Sequence, residues 1–218
     1  MSRSAGRLRS LLVVAALLLS AGCAGVSGSA EPDLWQALPE PLPPPTAVPT
    51  PPPGRAVHNT GRDVSGVDWR LVNEFDFDGP LDPTVWNRYN SIGGFGNGFR
   101  RPSAITVEDG MLRITARGEV TGGMGHERDQ LYGRWEFRAR TDKGRGRGAA
   151  ILLWPKTENK DDGELDMMEV PREDRGEAHF VIHFSPQNKQ AGNKITGDFS
   201  QWHTFAMDWL PNRITWYV

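Results

Sequence analysis

The sequence has one cysteine, Cys23, in 218 residues. A lone thiol closes no internal disulfide, so the fold cannot rest on a disulfide framework. Neither sign of charge dominates. The 25 Lys and Arg stand against 27 Asp and Glu, for a net charge of -2. No basic block is present, which argues against a nucleic-acid partner. No apolar run is long enough to span a bilayer. The run from Leu11 to Ala21 covers about 11 residues, against roughly 20 for a helix crossing a 30 Å hydrocarbon core. Sustained helical periodicity is absent, and so are internal repeats. What the chain does have is glycine (25), proline (17) and tryptophan (8). That composition suits a turn-rich β protein with an aromatic-lined cleft, and suits disorder poorly.

The first residues read as an export leader. Arg3, Arg7 and Arg9 precede the apolar run, which ends in Leu19-Ser20-Ala21-Gly22-Cys23. Small residues before a cysteine resemble a bacterial lipobox, so residues 1–23 are expected to be a signal peptide with Cys23 lipidated. The protein is then exported and held at the membrane by that lipid. The competing reading is a secretory signal with an incidental cysteine. Residues 24–66 form a Pro-rich linker, with ten of the 17 prolines between Pro32 and Pro53. Such a stretch favours extended polyproline II and builds no packed core. About 150 residues remain, enough for one domain, expected over 67–218.

Within that domain short apolar or alternating runs recur between turn residues. Trp69 to Val72 is one. Ala104 to Val107 and Met111 to Ala116 flank Asp109-Gly110, a hairpin signal. Trp135 to Arg140 alternates strictly. Ala149 to Trp154 is continuously apolar. Phe180 to Phe184, His203 to Trp209 and Arg213 to Val218 are further strands. The class is all-β, a sandwich or jelly roll. The chain stops inside its last apparent strand, so a fragment is expected.

The most informative segment is Gly163-Glu164-Leu165-Asp166-Met167-Met168-Glu169-Val170. Side chains at i and i+2 of a strand share a face, so Glu164 and Asp166 point one way and Leu165 and Met167 the other. Unbroken alternation would bury Glu169, at a high cost for a lone carboxylate. A β-bulge at Met167-Met168 resets the alternation and brings Glu169 round to the other acids. Three acids on one face repel each other, which is expected where chemistry needs them. Retaining glycosidases use two carboxyl groups about 5–5.5 Å apart, one nucleophile and one acid/base. Spacing alone leaves open which outer glutamate does which. It also leaves open a solvated acidic edge or a calcium site.

The octet resembles the E-x-D-x-x-E signature of glycoside hydrolase family 16, in its bulged, laminarinase-like form. Phe75 to Trp86, Tyr132 to Arg140, Gln201 to Trp209 and Arg213 to Val218 are similar to the family's other strands, in its order. The resemblance runs from about Trp69 to the end. It implies a concanavalin-like jelly roll and retaining endo-hydrolysis of β-1,3- or β-1,3/1,4-glucans, or of galactans. It assigns Glu164 as nucleophile, Glu169 as acid/base and Asp166 as the assisting carboxylate. No cofactor is required for that chemistry. Glu74 and the backbone at Gly110 resemble positions of a structural calcium, whose remaining ligand would come from beyond Val218.

Four further residues are expected at the substrate. Trp154 offers a ring for stacking on a sugar face, with core packing as its competing role. The family's Trp-Pro-Ala-x-Trp pattern is replaced here by Gly148 to Pro155, so an aromatic platform is missing or displaced. His183 is expected beside the acids, while His179 reads as surface. Asn97 and Arg101, in the glycine-rich loop Ser91 to Arg101, are expected to meet sugar hydroxyls. A plain flexible turn explains those glycines equally well. The rival from another class is a surface lipoprotein that binds carbohydrate without cutting it. A transglycosylase would use the same carboxylates.

Overall fold

The computed structural model describes residues 10–18, 67 and 69–218. The described residues form fifteen strands, with only three-residue 3-10 turns among the described helical segments. The strands are β1 Ser10–Leu18, β2 Trp86–Arg88, β3 Ser91–Ile92, β4 Phe99–Arg100, β5 Ile105–Glu108, β6 Met111–Ile114, β7 Val120–Thr121 and β8 Gly123–Gln130. They continue as β9 Gly133–Ala139, β10 Arg147–Pro155, β11 Glu164–Val170, β12 Glu177–Phe184, β13 Lys189–Thr196, β14 His203–Leu210 and β15 Arg213–Tyr217.

Seven strands form the main sheet in the order β13-β12-β11-β10-β1-β8-β2. A three-stranded sheet, β15-β14-β9, packs against it. The alternation in each strand decides the packing. Ile151 and Leu153 of β10, Leu165 of β11 and Phe180 of β12 face Phe205, Met207 and Trp209 of β14 in one core. A smaller core gathers Trp86, Ile105 and Met124. The outcome is the all-β jelly-roll sandwich.

The expected hairpin is β5–β6, paired in register across Asp109 and Gly110. Both turn residues have positive φ, 53° and 68°, as a two-residue I′ turn demands. Trp69 to Val72 forms no strand, contrary to the reading of its apolar pattern. Leu71 and Val72 are exposed there, so nothing rewards pairing. Residues 10–18, within the expected leader, form strand β1 between β10 and β8. Cys23 and the Pro-rich linker lie outside the described residues.

Candidate active site

Strand β11 carries the bulge that its sequence requires. Against β10, Ala150 pairs with Glu169 and Ile151 with Met168, but Leu152 pairs with Asp166. The register therefore shifts by one at Met167. Ala150 and Leu152 are two apart on a regular stretch, so their partners Glu169 and Asp166 share a face. Glu164, two before Asp166, joins them. Leu165, Met167, Met168 and Val170 all pack into the core. The ladder to β12 is broken over the same residues, between Leu165 and Glu169. Within that break Trp216 reaches across the sandwich from β15, and its Nε1–H donates to the Asp166 carbonyl at 3.0 Å.

Register extends the acid face over the neighbouring strands. Glu164 lies opposite His183, and His183 opposite Gln190. Glu169 lies opposite His179, and His179 opposite Lys194. On the other side Ala150 faces Ala15 of β1, which faces Gly123 of β8. Trp154 is half-buried and sits two beyond Leu152, hence on the acid face near Glu164.

The electrostatics are those of crowded charge. Asp166 is fully buried. His183 Nε2 lies 3.1 Å from its Oδ2. That contact is short but not aligned as a hydrogen bond, and neither carboxylate oxygen has an aligned donor among the described residues. It is an ion pair, since charge attraction tolerates the misalignment and a hydrogen bond does not. Burial, and then the Asp166 charge, push the Glu164 carboxyl up to about 8. The same two causes raise Glu169. Contact with Asp166 raises His183 to about 9. The second His183 nitrogen, Nδ1, is 2.9 Å from Asn188 Oδ1. Perturbation of this kind, in a group of acids sharing one face, makes that face a candidate site.

His179 was legible in the sequence yet read as surface. It precedes His183 by four residues on one strand, so the two share a face. Its Nε2 is 2.9 Å from Glu177 Oε1, and Lys194 Nζ is 3.2 Å from Glu177 Oε2. Hydrogen bonds from His179 and Lys194 hold the Glu177 carboxyl below its usual range.

Asn97 and Arg101 are placed by the glycine-rich segment. The Asn97 N–H donates to the Gly94 carbonyl at 3.1 Å, closing a tight turn. The Arg101 guanidinium lies 4.7 Å from the Phe99 ring centroid and donates to the Arg100 carbonyl at 3.1 Å. Glu74 is exposed in an extended segment. Gly110 sits in the β5–β6 turn, where an added Cβ would come 3.5 Å from Asp78 Oδ1. Among the described residues, no three His, Cys, Asp or Glu are grouped to hold a metal ion. Glu74 and Gly110 alone fall short of the six to eight oxygens that calcium takes.

Residues 97–218, which include the whole acid strand, match the family described as Glycosyl hydrolases family 16. The chain belongs to that family. A β-glucanase of Rhodothermus marinus is 29% identical to this family 16 chain over 196 residues, covering 76% of this chain and 68% of that protein. A glucan endo-1,3-beta-glucosidase of Cryptopygus antarcticus is 30% identical over 183 residues, covering 69% and 66%. The chain thus spans about two thirds of the length of these relatives. The solved laminarinase from Rhodothermus marinus superposes with a TM-score of 0.57 at 28% identity, over 68% of this chain and 71% of that one. The family is one of glycosyl hydrolases.

Proposed function

We propose that this family 16 chain is a retaining endo-β-glucanase acting on β-1,3- or mixed β-1,3/1,4-linkages. The observation that carries the proposal is the bulge at Met167, which puts Glu164, Asp166 and Glu169 on one face of β11. The relatives named as β-glucanase and endo-1,3-beta-glucosidase support the choice of glucan.

Each acid has a role that its surroundings suit. Glu169, raised by burial and by Asp166, holds a proton for the leaving glycosidic oxygen. Glu164, as carboxylate, attacks the anomeric carbon as that bond breaks and forms a glycosyl-enzyme. Glu169, now ionised, takes a proton from water, whose oxygen attacks the anomeric carbon and frees Glu164. Two inversions retain the configuration. In the resting site Glu164 sits near 8, so it must surrender a proton before it attacks. The Asp166 charge helps to hold that proton on, and half-buried Glu164 gives it up to solvent, while the adjacent His183, near 9, is cationic at neutral pH and balances the charge. Carboxylates suffice for every step, and no metal or cofactor takes part.

The export leader and the lipid on Cys23 belong to the same proposal: an enzyme held at a cell surface, where polysaccharide is met. The test is release of reducing sugar from laminarin and from mixed-linkage glucan, with product anomers followed by NMR. The expected first product is the β-anomer, and Glu164→Gln abolishes it. A wild-type protein that binds glucan and leaves it uncut would make the chain a carbohydrate-binding surface protein instead.

A further inference from the structure

Strand β12 pairs with β13 from Glu177 to Phe184 without a register shift, so its side chains alternate without a break. Ala178, Phe180 and Ile182 pack into the core. Glu177, His179 and His183 therefore share the acid face. His183 is committed to Asp166 and Asn188. His179 stands opposite Glu169, at the other end of the break in the β11–β12 ladder. Directly opposed residues of an antiparallel pair have Cβ atoms about 5 Å apart, within reach of an imidazole.

The His179 ring is held by a carboxylate that the acid trio does not use. Hydrogen bonds keep Glu177 below the usual range, so at neutral pH it is an anion and can only accept. His179 Nε2, 2.9 Å from Glu177 Oε1, is therefore the donor, and the ring's orientation follows from that bond. Lys194 Nζ, 3.2 Å from Glu177 Oε2, holds the carboxylate in turn. Without the ring, Lys194 and Glu177 would be an ordinary surface ion pair. The charged groups around Glu169 are Glu164 and Asp166 on its own strand, His179 and His183 on β12, and Lys194 of β13 beyond His179. Strand β10 sets only Ala150 opposite it. Burial and the Asp166 charge push the Glu169 carboxyl up, while His183 and His179 pull against them.

We propose that His179, oriented by Glu177, is a positioning residue for Glu169 and steadies the carboxylate that Glu169 becomes once its proton has passed to the leaving oxygen. The inference rests on the glucanase reading of the acids. Glu169 has to be an acid in the first half of that cycle and a base in the second. Burial and Asp166 alone would favour its protonated form throughout. A ring across the strand pair that favours the ionised form makes the proton easier to release. Glu177 acts only through the ring that it holds.

The test uses the full chain with laminarin and with the dinitrophenyl glycoside of a β-1,3-linked glucose disaccharide, whose leaving group needs no proton. For His179→Gln, kcat/KM on laminarin should fall about tenfold, a part of the roughly 10²–10⁴-fold that a positioned acid–base group supplies. The loss on the dinitrophenyl substrate should be much smaller. The basic limb of the laminarin profile should move to higher pH, because Glu169 works protonated in that step and a downward pull on it is gone. Glu177→Ala, which frees the ring, should repeat the loss on laminarin. Glu177→Gln, which still accepts from Nε2, should restore most of it. Urea unfolding shows that each variant is folded. Equal losses on both substrates, or a basic limb that stays in place in His179→Gln, overturn the positioning role alone. A wild-type protein that cuts neither substrate overturns that role and the glucanase reading together.

Discussion

Among the described residues two aspartates are completely buried, one in the seven-stranded sheet and one in the facing three-stranded sheet, and the fold treats them in opposite ways. Asp208 on β14 takes a hydrogen bond from Arg134 Nη1 at 2.8 Å and one from the Tyr217 hydroxyl at 2.9 Å. Asp166 on β11 has His183 at 3.1 Å, out of line, and two raised glutamates around it. A buried charge with aligned donors is a piece of architecture. A buried charge left short of them, among its own kind, is a candidate for chemistry.

The contrast breaks most completely if the bulge is removed. Deleting Met167 restores plain alternation, so the acids can no longer all face one way. Hydrolysis of laminarin should disappear, and urea unfolding should show a large loss of stability from a carboxylate driven into the core. The paired substitution sharpens it. Asp166→Asn should lower kcat by about 10²-fold or more, in the range of acid–base assistance, while urea stability holds or rises as repulsion is relieved. Asp208→Asn should do the reverse: a loss of about 2–3 kcal/mol, the worth of hydrogen bonds to a charged group, with kcat per folded molecule unchanged. Asp166→Asn should also move the acidic limb of the pH–rate profile downward, because one of the causes that raise Glu164 is gone.

A smaller effect is expected from Trp216→Phe. It keeps an aromatic ring in the core but drops the donor to the Asp166 carbonyl, so kcat should fall about tenfold through a loosened bulge. The gentlest test is pH. Glu164 is raised from 4.5 to about 8 and His183 from 6.5 to about 9. In both, the folded state holds the proton more tightly than the unfolded chain. Their stabilisation is complete below the unfolded values and is lost as pH rises through the folded ones. Urea midpoints should therefore decline between about pH 4.5 and 9. Asp208→Asn should keep that decline, and Glu164→Gln should flatten its Glu164 part.

Much of this was legible in the chain. The acid octet could be read because a strand's two-residue period makes a buried lone glutamate costly, which forces a bulge. The β5–β6 hairpin was legible from Asp109-Gly110, since only certain residues accept positive φ. Strand β13 was not legible. All eight of its residues are exposed at the sheet edge, so no apolar alternation marks it. Strand β8 was hidden for a related reason: Gly123, Gly125 and His126 break the pattern of an ordinary half-buried strand. His179 was within reach by parity with His183, and the signal was passed over.

By itself the sequence determined the all-β class, the kink in β11 and the common face of the three acids, because each follows from local periodicity and the cost of burying charge. Only the tertiary structure decided which residues from distant strands share that face. It put His179 opposite Glu169 and His183 opposite Glu164, and brought Trp216 to the bulge. Cross-strand register is set by how whole sheets pack, and no stretch of chain carries that information alone.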